Sequence, residues 1–407
     1  MLSTAENARL TAVDPGTPMH GLWKRHWMPA VRSARLVAGA APIRVRLLSE
    51  NYAVFRAPDG RIGFFAEACP HRGASLVLAR TEDCALRCLY HGWKIDVSGR
   101  VVETPNEPNP AFAASVPVRR FVTHEAAGIL WVWLGSGEPP RFSDFAFTHL
   151  PAEQVWARAA VVKANWLQGL EGTVDPSHVA ILHKDVMAST QALSTLNMMP
   201  LDEAPRYETE ARPWGMSVAA LRALGDGRQY VRVTEYVTPG LALIPYGADE
   251  PQQCIITVPI DTAHTLQWNI FFHYARPLTE AERAFLRYGT GPDDDDIWQP
   301  PHNDPAWGQD RAAMSRGSHS GLSGVIVEDF VIAESMGAVV DRASEYLCAA
   351  DASVVRLRRQ LLAALEQNAA ANAFDYAAIR STACVAAAGE DWRRLVSVPI
   401  ATKGGGT

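Results

Sequence analysis

Two short loops constrain the fold of this chain more than any other feature of its sequence. The first reads C-P-H-R-G at residues 69–73, and the second reads C-L-Y-H-G-W at residues 88–93. Each loop pairs one cysteine with one histidine, and sixteen residues separate His71 from Cys88. Thiolates and imidazoles are strong ligands for transition metals. The fold is therefore expected to bring the two loops together around one metal centre.

The residues around these loops have the pattern of short β-strands. Apolar and polar positions alternate from Arg44 to Ala68, with a D-G turn at Gly60, and an S-G turn follows at Gly99. The apolar strand G-I-L-W-V-W-L-G is followed by G-S-G-E-P-P-R-F-S-D, the best linker candidate. We therefore expect an all-β domain over residues 21–145, preceded by an N-terminal arm over residues 1–20.

Two kinds of metal centre are open to the four side chains. Two thiolates and two imidazoles could hold a structural zinc ion in a tetrahedral site. Against zinc, each loop mixes the two ligand types and is flanked by Gly and Pro. That arrangement suits a cluster of two irons, with Cys69 and Cys88 on one iron and His71 and His91 on the other. Histidine ligands would raise the potential of this cluster above that of an all-cysteine ferredoxin.

A second group of metal-binding residue types lies in N-W-L-Q-G-L-E-G-T-V-D-P-S-H-V-A-I-L-H, residues 165–183. Its polar side chains stand in a largely apolar background: Asn165, Glu171, Asp175, His178 and His183. Two histidines and a carboxylate from elsewhere would form the facial triad that leaves open positions on a non-haem Fe(II). The alternative is a helix whose histidines satisfy only local hydrogen bonds.

The spacing of the two histidines predicts a distorted helix. His178 and His183 differ by five positions, which places them about 140° apart on an ideal helix. Both can reach one ion only if the helix is distorted, for example by a π-type turn. Pro176 should interrupt the helix, with Asp175 as an N-cap.

Taken together, these motifs resemble the α subunit of the Rieske non-haem iron oxygenases. The loops at 69–73 and 88–93 resemble those of Rieske proteins, and D-x-x-H-x-x-x-x-H follows them. The resemblance implies one Rieske 2Fe-2S cluster and one mononuclear Fe(II) per chain. It further implies that the mononuclear iron is held by His178, His183 and Asp329.

The third iron ligand has two rivals. The family places an acidic residue on a late helix, which matches V-E-D-F-V-I-A-E-S-M-G at residues 327–337. Asp329 takes the ligand place there, and Glu328 and Glu334 are nearby alternatives. An amphipathic helix with solvated acids is the other reading of this segment.

The resemblance also implies a bridge between the two metal sites. In the family, an acid at the place of Asp175 hydrogen-bonds an iron-ligating histidine and a cluster histidine of a neighbouring subunit, here His178 and His91. Asp175 and Asn165 are accordingly our candidate catalytic residues. Because the two sites of one chain are too far apart in this family, an obligate oligomer follows, as a homotrimer or as stacked trimers.

The rest of the chain predicts an α+β protein. Strand patterns return between residues 200 and 275, and helical periodicity runs from about 327 to 370. We expect a catalytic domain over residues 146–395, with a curved antiparallel sheet flanked by helices in a helix-grip-like fold. The acidic, Pro-rich stretch at 291–305 is either solvated surface or a mobile cover over the pocket. Residues 396–407 should be disordered.

Further motifs resemble the phthalate-dioxygenase branch of the family: N-W-x-Q-x-x-E-x-x-x-D, D-F-x-x-x-E-S-M-G and a following D-R. An aryl carboxylate needs a cationic partner, and arginine can bind it through two hydrogen bonds. Family members often carry an arginine shortly after a W/Y-G pair, where this chain has Ser217. Arg222 or Arg232 could replace it, or each could be a surface charge.

We therefore expect the terminal oxygenase component of a two-component Rieske system. Its reaction is expected to be hydroxylation, by cis-dihydroxylation, of a substituted aromatic acid such as a phthalate, chlorobenzoate or phenoxybenzoate. Monooxygenation, including O-demethylation of a methoxybenzoate, uses the same ligands and stays open. The contrasting possibility is a Rieske electron carrier without oxygenase chemistry, which would hold no second iron.

Composition excludes several other classes of function. A formal net charge of -6 gives no electrostatic motive for binding nucleic acid, and no apolar run is long enough to predict a membrane span. Six cysteines in 407 residues do not make a disulfide scaffold, which predicts a reducing, cytoplasmic setting. No Gly-rich dinucleotide fingerprint is present, so electrons should come from a separate NAD(P)H-dependent flavin and 2Fe-2S reductase.

Overall fold

A computed structural model of the chain describes residues 1–189, 196–287, 297–298, 306–366 and 374–396. Within these ranges, separate helices and antiparallel sheets confirm the predicted α+β class. The stretch predicted as a surface or covering loop lies outside the described residues except for Ile297–Trp298, and the tail beyond residue 396 lies outside them entirely.

The predicted N-terminal arm is helical and packed into the core. It contains α1 (Thr4–Thr11) and the start of α2 (Pro18–Lys24). The side chains of Ser3 and Glu6 form a capping box at the start of α1, a local signal that satisfies exposed backbone amides. Trp23 of α2 is buried and meets Trp166 edge to face, with ring centroids 5.5 Å apart. Aromatic pairs of this kind attach the N-terminus to the catalytic domain.

Ten short strands build the β domain, as predicted. They are β1 (Trp27–Arg32), β2 (Ile43–Leu47), β3 (Glu50–Arg56), β4 (Ile62–Ala66), β5 (Arg80–Glu82), β6 (Ala85–Arg87), β7 (Lys94–Asp96), β8 (Val101–Glu103), β9 (Val122–Ala126) and β10 (Ile129–Trp133). Their three antiparallel sheets have the orders β1-β10-β9, β2-β3-β4 and β5-β6-β7-β8. The predicted turns join β3 to β4 at Gly60 and β7 to β8 at Gly99. One Cys/His loop follows β4, and the other joins β6 to β7.

One large sheet dominates the catalytic domain. Its strands are β11 (Val155–Val162), β12 (Arg206–Arg212), β13 (Gly215–Ala223), β14 (Arg228–Val237), β15 (Leu241–Ile244), β16 (Gln252–Asp261), β17 (His264–Phe272), β18 (Ile297–Trp298) and β19 (Thr382–Ala387). They follow the order β12-β13-β14-β15-β16-β17-β11-β18, and β19 pairs with β14. All pairs are antiparallel except β11 with β18. The strand pattern predicted between residues 200 and 275 is confirmed.

Helices cover the sheet. Beside α1 and α2, they are α3 (Trp166–Val174), α4 (Val179–Leu182), α5 (Lys184–Ser189), α6 (Glu280–Leu286), α7 (Arg311–Ser315), α8 (Val325–Ser335) and α9 (Ala352–Glu366). The sheet packs against α3 through β15, β16 and β17, and α8 and α9 contact both α3 and strands of the sheet. None of the helices in the described ranges combines the length and the apolar character that crossing a membrane requires.

Two glycines that differ in their surroundings test the packing of α2. A Cβ atom added to Gly240 would lie 2.6 Å from the Trp23 ring and 2.9 Å from the carbonyl oxygen of Thr257, whereas one added to Gly21 would meet nothing within 4 Å. Gly240→Ala should therefore destabilise the protein by about 1–3 kcal/mol through overpacking. Gly21→Ala, within an exposed helical turn, should stabilise it by about 0.5–1 kcal/mol.

Urea midpoints of the two variants, compared with the parent, measure these opposite shifts. Equal midpoints for Gly240→Ala and the parent would show that α2 does not pack against the sheet as described.

Candidate functional site

The two Cys/His loops lie against each other and share one backbone conformation. In each loop the amide of the last glycine donates a hydrogen bond to the carbonyl of the cysteine, at 2.9 Å in the first loop and 3.0 Å in the second. These residues, Gly73 and Gly92, have φ values of 75° and 73°, which glycine adopts without strain. The turns bring the rings of His71 and His91 to a centroid distance of 4.5 Å.

The donor set suits a two-iron cluster better than one zinc ion. Burial, with Cys88 alongside, raises the pKa of the Cys69 thiol to about 11, so thiolates here need a cation. The Nδ1 atom of His91 is buried without a hydrogen-bond partner. A tetrahedral zinc would gather its four ligand atoms within about 4 Å of one another. Among the described residues, however, the only group of three or more His, Cys, Asp or Glu residues whose ligand atoms lie within 4.8 Å of one another is found elsewhere.

That other group is built on a break after α3. Pro176 has no amide to donate, and the helix ends one residue earlier, where the Asp175 amide donates to the carbonyls of Glu171 and Gly172. Asp175 is thus a C-cap and not the predicted N-cap, and its Oδ1 accepts from the amide and the hydroxyl of Ser177 at 2.7 and 2.6 Å. The chain then restarts as α4.

The two histidines flank α4 and do not share a long distorted helix. His178 precedes its first residue and His183 follows its last, so the predicted distortion of the helix takes the form of breaks around α4 and not of the π-type turn given as an example. His178 keeps helical dihedral angles, whereas the backbone leaves the helical region at His183, with φ -93° and ψ 20°. The change of direction at the second histidine lets both rings approach one point. Their rings stand at 82° with centroids 5.2 Å apart.

His178, His183 and Asp329 converge on one point. The Nε2 atoms of His183 and His178 lie 3.0 and 3.6 Å from Oδ1 of Asp329. Ligand atoms of all three residues fall within 4.8 Å of one another. Two imidazoles and one carboxylate on one side of an ion leave open positions, as a non-haem Fe(II) requires. These three residues could therefore hold the mononuclear iron.

Each histidine of the triad has a carboxylate behind it. Nδ1 of His183 lies 2.6 Å from Oε2 of Glu328, whose other oxygen accepts from the Ser320 hydroxyl at 2.5 Å. Nδ1 of His178 lies 3.4 Å from Oδ2 of Asp175. A carboxylate at Nδ1 favours the tautomer in which Nε2 is free to bind an ion. The sequence suggested Glu328 only as a rival ligand. Its position directly before Asp329 was the feature of the sequence that could have indicated this supporting role.

Electrostatics also favours a cation at this point. Burial lowers the pKa of His183, but the carboxylates of Asp329 and Glu328 outweigh it and raise that pKa to about 9. Burial raises the pKa of Asp329, yet His183 and His178 hold it below its usual value. Without a metal the triad therefore binds a proton, which a divalent ion displaces, because ligating histidines must be neutral.

The other rival for the third ligand position, Glu334, accepts a hydrogen bond from the Lys163 amide at 2.9 Å.

A cavity of about 320 Å³ opens beside the triad, between α3, α8 and strands β14 to β17. Its wall is mainly apolar overall and includes Ile244 and Ile255 from the strands and Phe330 from α8. The strands also contribute polar side chains, and two arginines, Arg232 and Arg358, line the cavity. A mainly apolar cleft with polar groups that can orient a ligand is typical of sites for small organic ligands.

The two arginines predicted from the sequence have different environments. Arg232 is 6% exposed and lines the cavity, whereas Arg222 is fully buried outside the cavity wall. Nη2 of Arg222 donates to the carbonyl of Pro176 at 3.2 Å, so this residue supports the break after α3. Neither arginine has an acidic partner among the described residues. Burial and the charge of Arg232 lower the pKa of Arg222 to about 10.

Ser217, where the family often has arginine, does not face the cavity. Its hydroxyl donates to Glu235 at 2.7 Å and accepts from Arg212 at 2.7 Å. Thr234 lines the cavity, and its neighbour Glu235 points to the opposite face of β14, as successive strand residues do. An arginine at position 217 would therefore pair with Glu235, away from the cavity.

Asn165 has all of its amide atoms engaged. Its Oδ1 accepts from the Leu167 amide at 3.1 Å, which caps α3, and its Nδ2 donates to the carbonyls of Thr11 and Thr262 at 3.0 and 2.7 Å. This residue, predicted as catalytic, presents no free group to the triad. Its contacts fix the start of α3, and the residue lies in the wall of the cavity beside the triad.

Comparisons with known proteins cover both metal sites. A Rieske [2Fe-2S] domain model matches residues 26–121, and a model described as LigXa C-terminal domain like matches residues 132–402. The chain is 36% identical over 384 residues to the phthalate 4,5-dioxygenase oxygenase subunit of Pseudomonas putida, which covers 90% of this chain and 86% of that protein. It is 34% identical over 398 residues to the 3-chlorobenzoate-3,4-dioxygenase oxygenase subunit of Comamonas testosteroni, covering 91% and 90%.

A solved structure shows the same fold. The terminal oxygenase of carbazole 1,9a-dioxygenase from Novosphingobium sp. KA1 matches with a TM-score of 0.62 at 20% identity, covering 91% of this chain and 96% of that chain. These matches confirm the resemblance seen in the sequence and both predicted cofactors. The chain belongs to the Rieske non-haem iron oxygenases, as an oxygenase subunit with one Rieske 2Fe-2S cluster and one mononuclear iron.

Proposed function

We propose that this chain hydroxylates a substituted aromatic acid, by cis-dihydroxylation, with O2 and with electrons from a separate NAD(P)H-dependent flavin and 2Fe-2S reductase. Phthalates, chlorobenzoates and phenoxybenzoates form the substrate class. The observation that carries the proposal is the position of Arg232, a buried cation without an acidic partner among the described residues, in the cavity that contains the triad. An aromatic ring with a carboxylate complements this cavity.

In this proposal the metal ligands follow the family motif at each position. Cys69, His71, Cys88 and His91 hold the cluster, and His178, His183 and Asp329 hold the iron. When bound, the iron supplies the site where O2 is activated.

The surrounding side chains position the substrate and keep the iron ligands in their binding form. The Arg232 guanidinium binds the carboxylate and so fixes which ring carbons face the iron. The apolar wall at Ile244, Ile255 and Phe330 holds the ring and excludes water. Glu328 holds Nε2 of His183 free of a proton by accepting from Nδ1.

Asp175 is proposed to carry electronic contact between subunits. One oxygen faces Nδ1 of His178, and the residue lies at the cavity wall, where the chain turns from α3 to α4. His178 and Ser177 hold the pKa of Asp175 below its usual value although burial acts to raise it, so it remains an acceptor. A carboxylate in this state can accept a further hydrogen bond from His91 of the partner subunit.

Two exposed apolar surfaces support a homo-oligomer, proposed as a trimer or stacked trimers. The side chains of the first surface lie in the Cys/His loops or beside them, and those of the second lie on α4, on α8 and in the segment after α8. The cluster surface consists of Leu78, Leu89, Tyr90 and Phe112. The iron surface consists of Ile181, Ile332, Met336, Val339 and Tyr346, of which Tyr346 is 100% exposed. Large apolar side chains grouped on a surface are typical of contact sites between proteins.

Oxygen labelling tests the proposed reaction. The chain, supplied with a surrogate reductase and NADH, is offered phthalates, benzoates, phenoxybenzoates and methoxybenzoates under 18O2. We expect a cis-diol with two labelled atoms from a carboxylated ring. One labelled atom, with formaldehyde released from a methoxybenzoate, would establish the monooxygenase alternative. If the chain holds about two irons and not about three, and no product forms, the alternative of a Rieske electron carrier without oxygenase chemistry is established.

Arg232→Met tests the carboxylate anchor. The substitution removes the charge and keeps the apolar stem, so KM for the aromatic acid should rise about 10- to 100-fold, the equivalent of a lost charged hydrogen bond of about 1.5–3 kcal/mol. Steady-state kinetics measures KM, and the uncharged amide of the same substrate serves as control because its KM should not change. Arg232→Lys should recover part of the loss. An unchanged KM for the acid in Arg232→Met would remove Arg232 from substrate binding.

Asp175→Asn tests the proposed bridge. The amide keeps the shape of the side chain but cannot accept hydrogen bonds from two histidines as a carboxylate does. Iron and sulfide content should stay at the parent level while most of the NADH-coupled product formation is lost. Asp226→Asn, which changes an exposed carboxylate paired with Arg228, is the matched control. Full coupled activity in Asp175→Asn would overturn the bridging role.

A further inference from the structure

A largely buried group of four charged residues lies next to Asp175, and three of its members line the same cavity as the triad. It consists of Glu171, Arg342, Glu345 and Arg358, and we refer to it as the ionic cluster. Arg342 is 0% exposed and Arg358 is 4% exposed. The two arginines balance the two glutamates, so the cluster carries no net charge.

Glu171 is the centre of the ionic cluster. Arg342 binds it side-on, with Nε 2.8 Å from Oε1 and Nη2 2.8 Å from Oε2. Arg358 adds a third contact through Nε at 2.6 Å. The guanidinium of Arg358 also holds Glu345 through two hydrogen bonds, at 2.6 and 2.9 Å. Every member of the cluster is therefore paired.

The ionic cluster joins three parts of the chain that meet near Asp175. Glu171 is one turn before Asp175 on α3, and its carbonyl accepts the Asp175 amide at 3.0 Å. Glu345 immediately precedes the fully exposed Tyr346, and Arg358 lies on α9. The cluster thus fixes the end of α3 relative to the surface segment that follows α8.

Neighbouring hydrogen bonds act in the same direction. Gln168 donates to the carbonyls of Ala333 and Gly337 at 2.9 Å each and accepts from the Val340 amide at 3.0 Å. Asn7 of α1 donates to the Val340 carbonyl at 2.9 Å and accepts from Arg342 at 3.1 Å. The segment after α8 is therefore held to α3 and α1 at several points, although it has no regular structure itself.

Stability alone does not account for such an arrangement. Removing charges from water costs nearly as much free energy as their attraction returns, so buried ion pairs contribute little net stability. Their directional hydrogen bonds do fix geometry, since any displacement leaves a buried charge without its partner. A buried ionic cluster is therefore suited to holding elements in register.

We infer that the ionic cluster is a positioning device for electron transfer between subunits. It holds Asp175 in a fixed relation to the iron surface at Met336, Val339 and Tyr346. A partner subunit that docks its cluster loops on this surface then meets the Asp175 carboxylate at a constant distance. This inference rests on the proposed bridging role of Asp175.

Glu171→Gln and Glu345→Gln test the inference from both ends of the cluster. The first substitution releases the end of α3, and the second releases the surface segment after α8. Because Glu345 is more exposed than Glu171, its substitution should disturb folding less. The matched control is Glu282→Gln. It breaks the half-buried ion pair between Glu282 of α6 and Arg276, which precedes that helix. Iron and sulfide content and the oligomeric state by light scattering are measured for each protein.

The decisive measurement is a single turnover with the prereduced oxygenase. On addition of substrate and O2, oxidation of the Rieske 2Fe-2S cluster should slow at least about tenfold in both Glu171→Gln and Glu345→Gln. This is the scale expected when a reacting group is misplaced. Product formation driven by hydrogen peroxide, which brings its own electrons to the iron, should stay within about twofold of the parent. Glu282→Gln should change neither rate.

The outcomes separate this inference from the function on which it rests. If oxidation of the Rieske cluster is slow in Asp175→Asn but as fast as in the parent in both glutamate variants, the positioning role of the ionic cluster is overturned and the bridging role of Asp175 stands. Parent rates in Asp175→Asn would overturn both. An equal loss of the peroxide-driven reaction in Glu171→Gln and Glu345→Gln would also overturn the inference, because it would show general damage to the iron site.

Discussion

The missing amide of Pro176 is the constraint on which the iron site depends. A proline at this position cannot continue the hydrogen bonding of α3, so the helix ends at Asp175 and the chain restarts at His178. The break places Asp175 where its backbone closes one helix while its side chain is free to face His178. Arg222 supports the break from the sheet by donating to the Pro176 carbonyl. The same proline therefore ends α3 and positions the two histidines of the proposed iron site.

Carboxylates then give the broken segment its chemistry. Asp175 and Glu328 each face the Nδ1 atom of one histidine, which leaves both Nε2 atoms directed at Asp329. Because α8 supplies Glu328 and Asp329 from adjacent positions, one helix provides both a ligand of the proposed iron site and the carboxylate that supports another ligand, His183. A shift of α8 relative to α3 would disturb both at once. The hydrogen bonds of Gln168 between these helices oppose such a shift.

Local features were predictable from the sequence, and long-range ones were not. The Cys/His loops and the turn at Gly60 depend on spacing within a few residues, and they form as predicted. The role of Glu328 depends on where α8 meets α4, and the different environments of Arg222 and Arg232 depend on the register of β13 with β14. No periodicity in one segment contains that information. The helix α1 was missed although its capping residues were present, because it is too short to show an apolar repeat.

Charge balance links the iron site to the kind of substrate that it can accept. Asp175, Glu328 and Asp329 together exceed the charge of a bound divalent ion by one negative charge, which would repel an anionic ligand. Arg222 and Arg232 lie on the same side of the sheet, because Tyr230 and Arg232 pair with Arg222 and Ala220 across the two strands. Of these two cations only Arg232 lines the cavity, where its charge offsets this excess, and charges interact strongly in a buried cavity. In the proposed function a carboxylate of the substrate pairs with Arg232, whereas a neutral ring would leave that buried guanidinium without an acidic partner among the described residues.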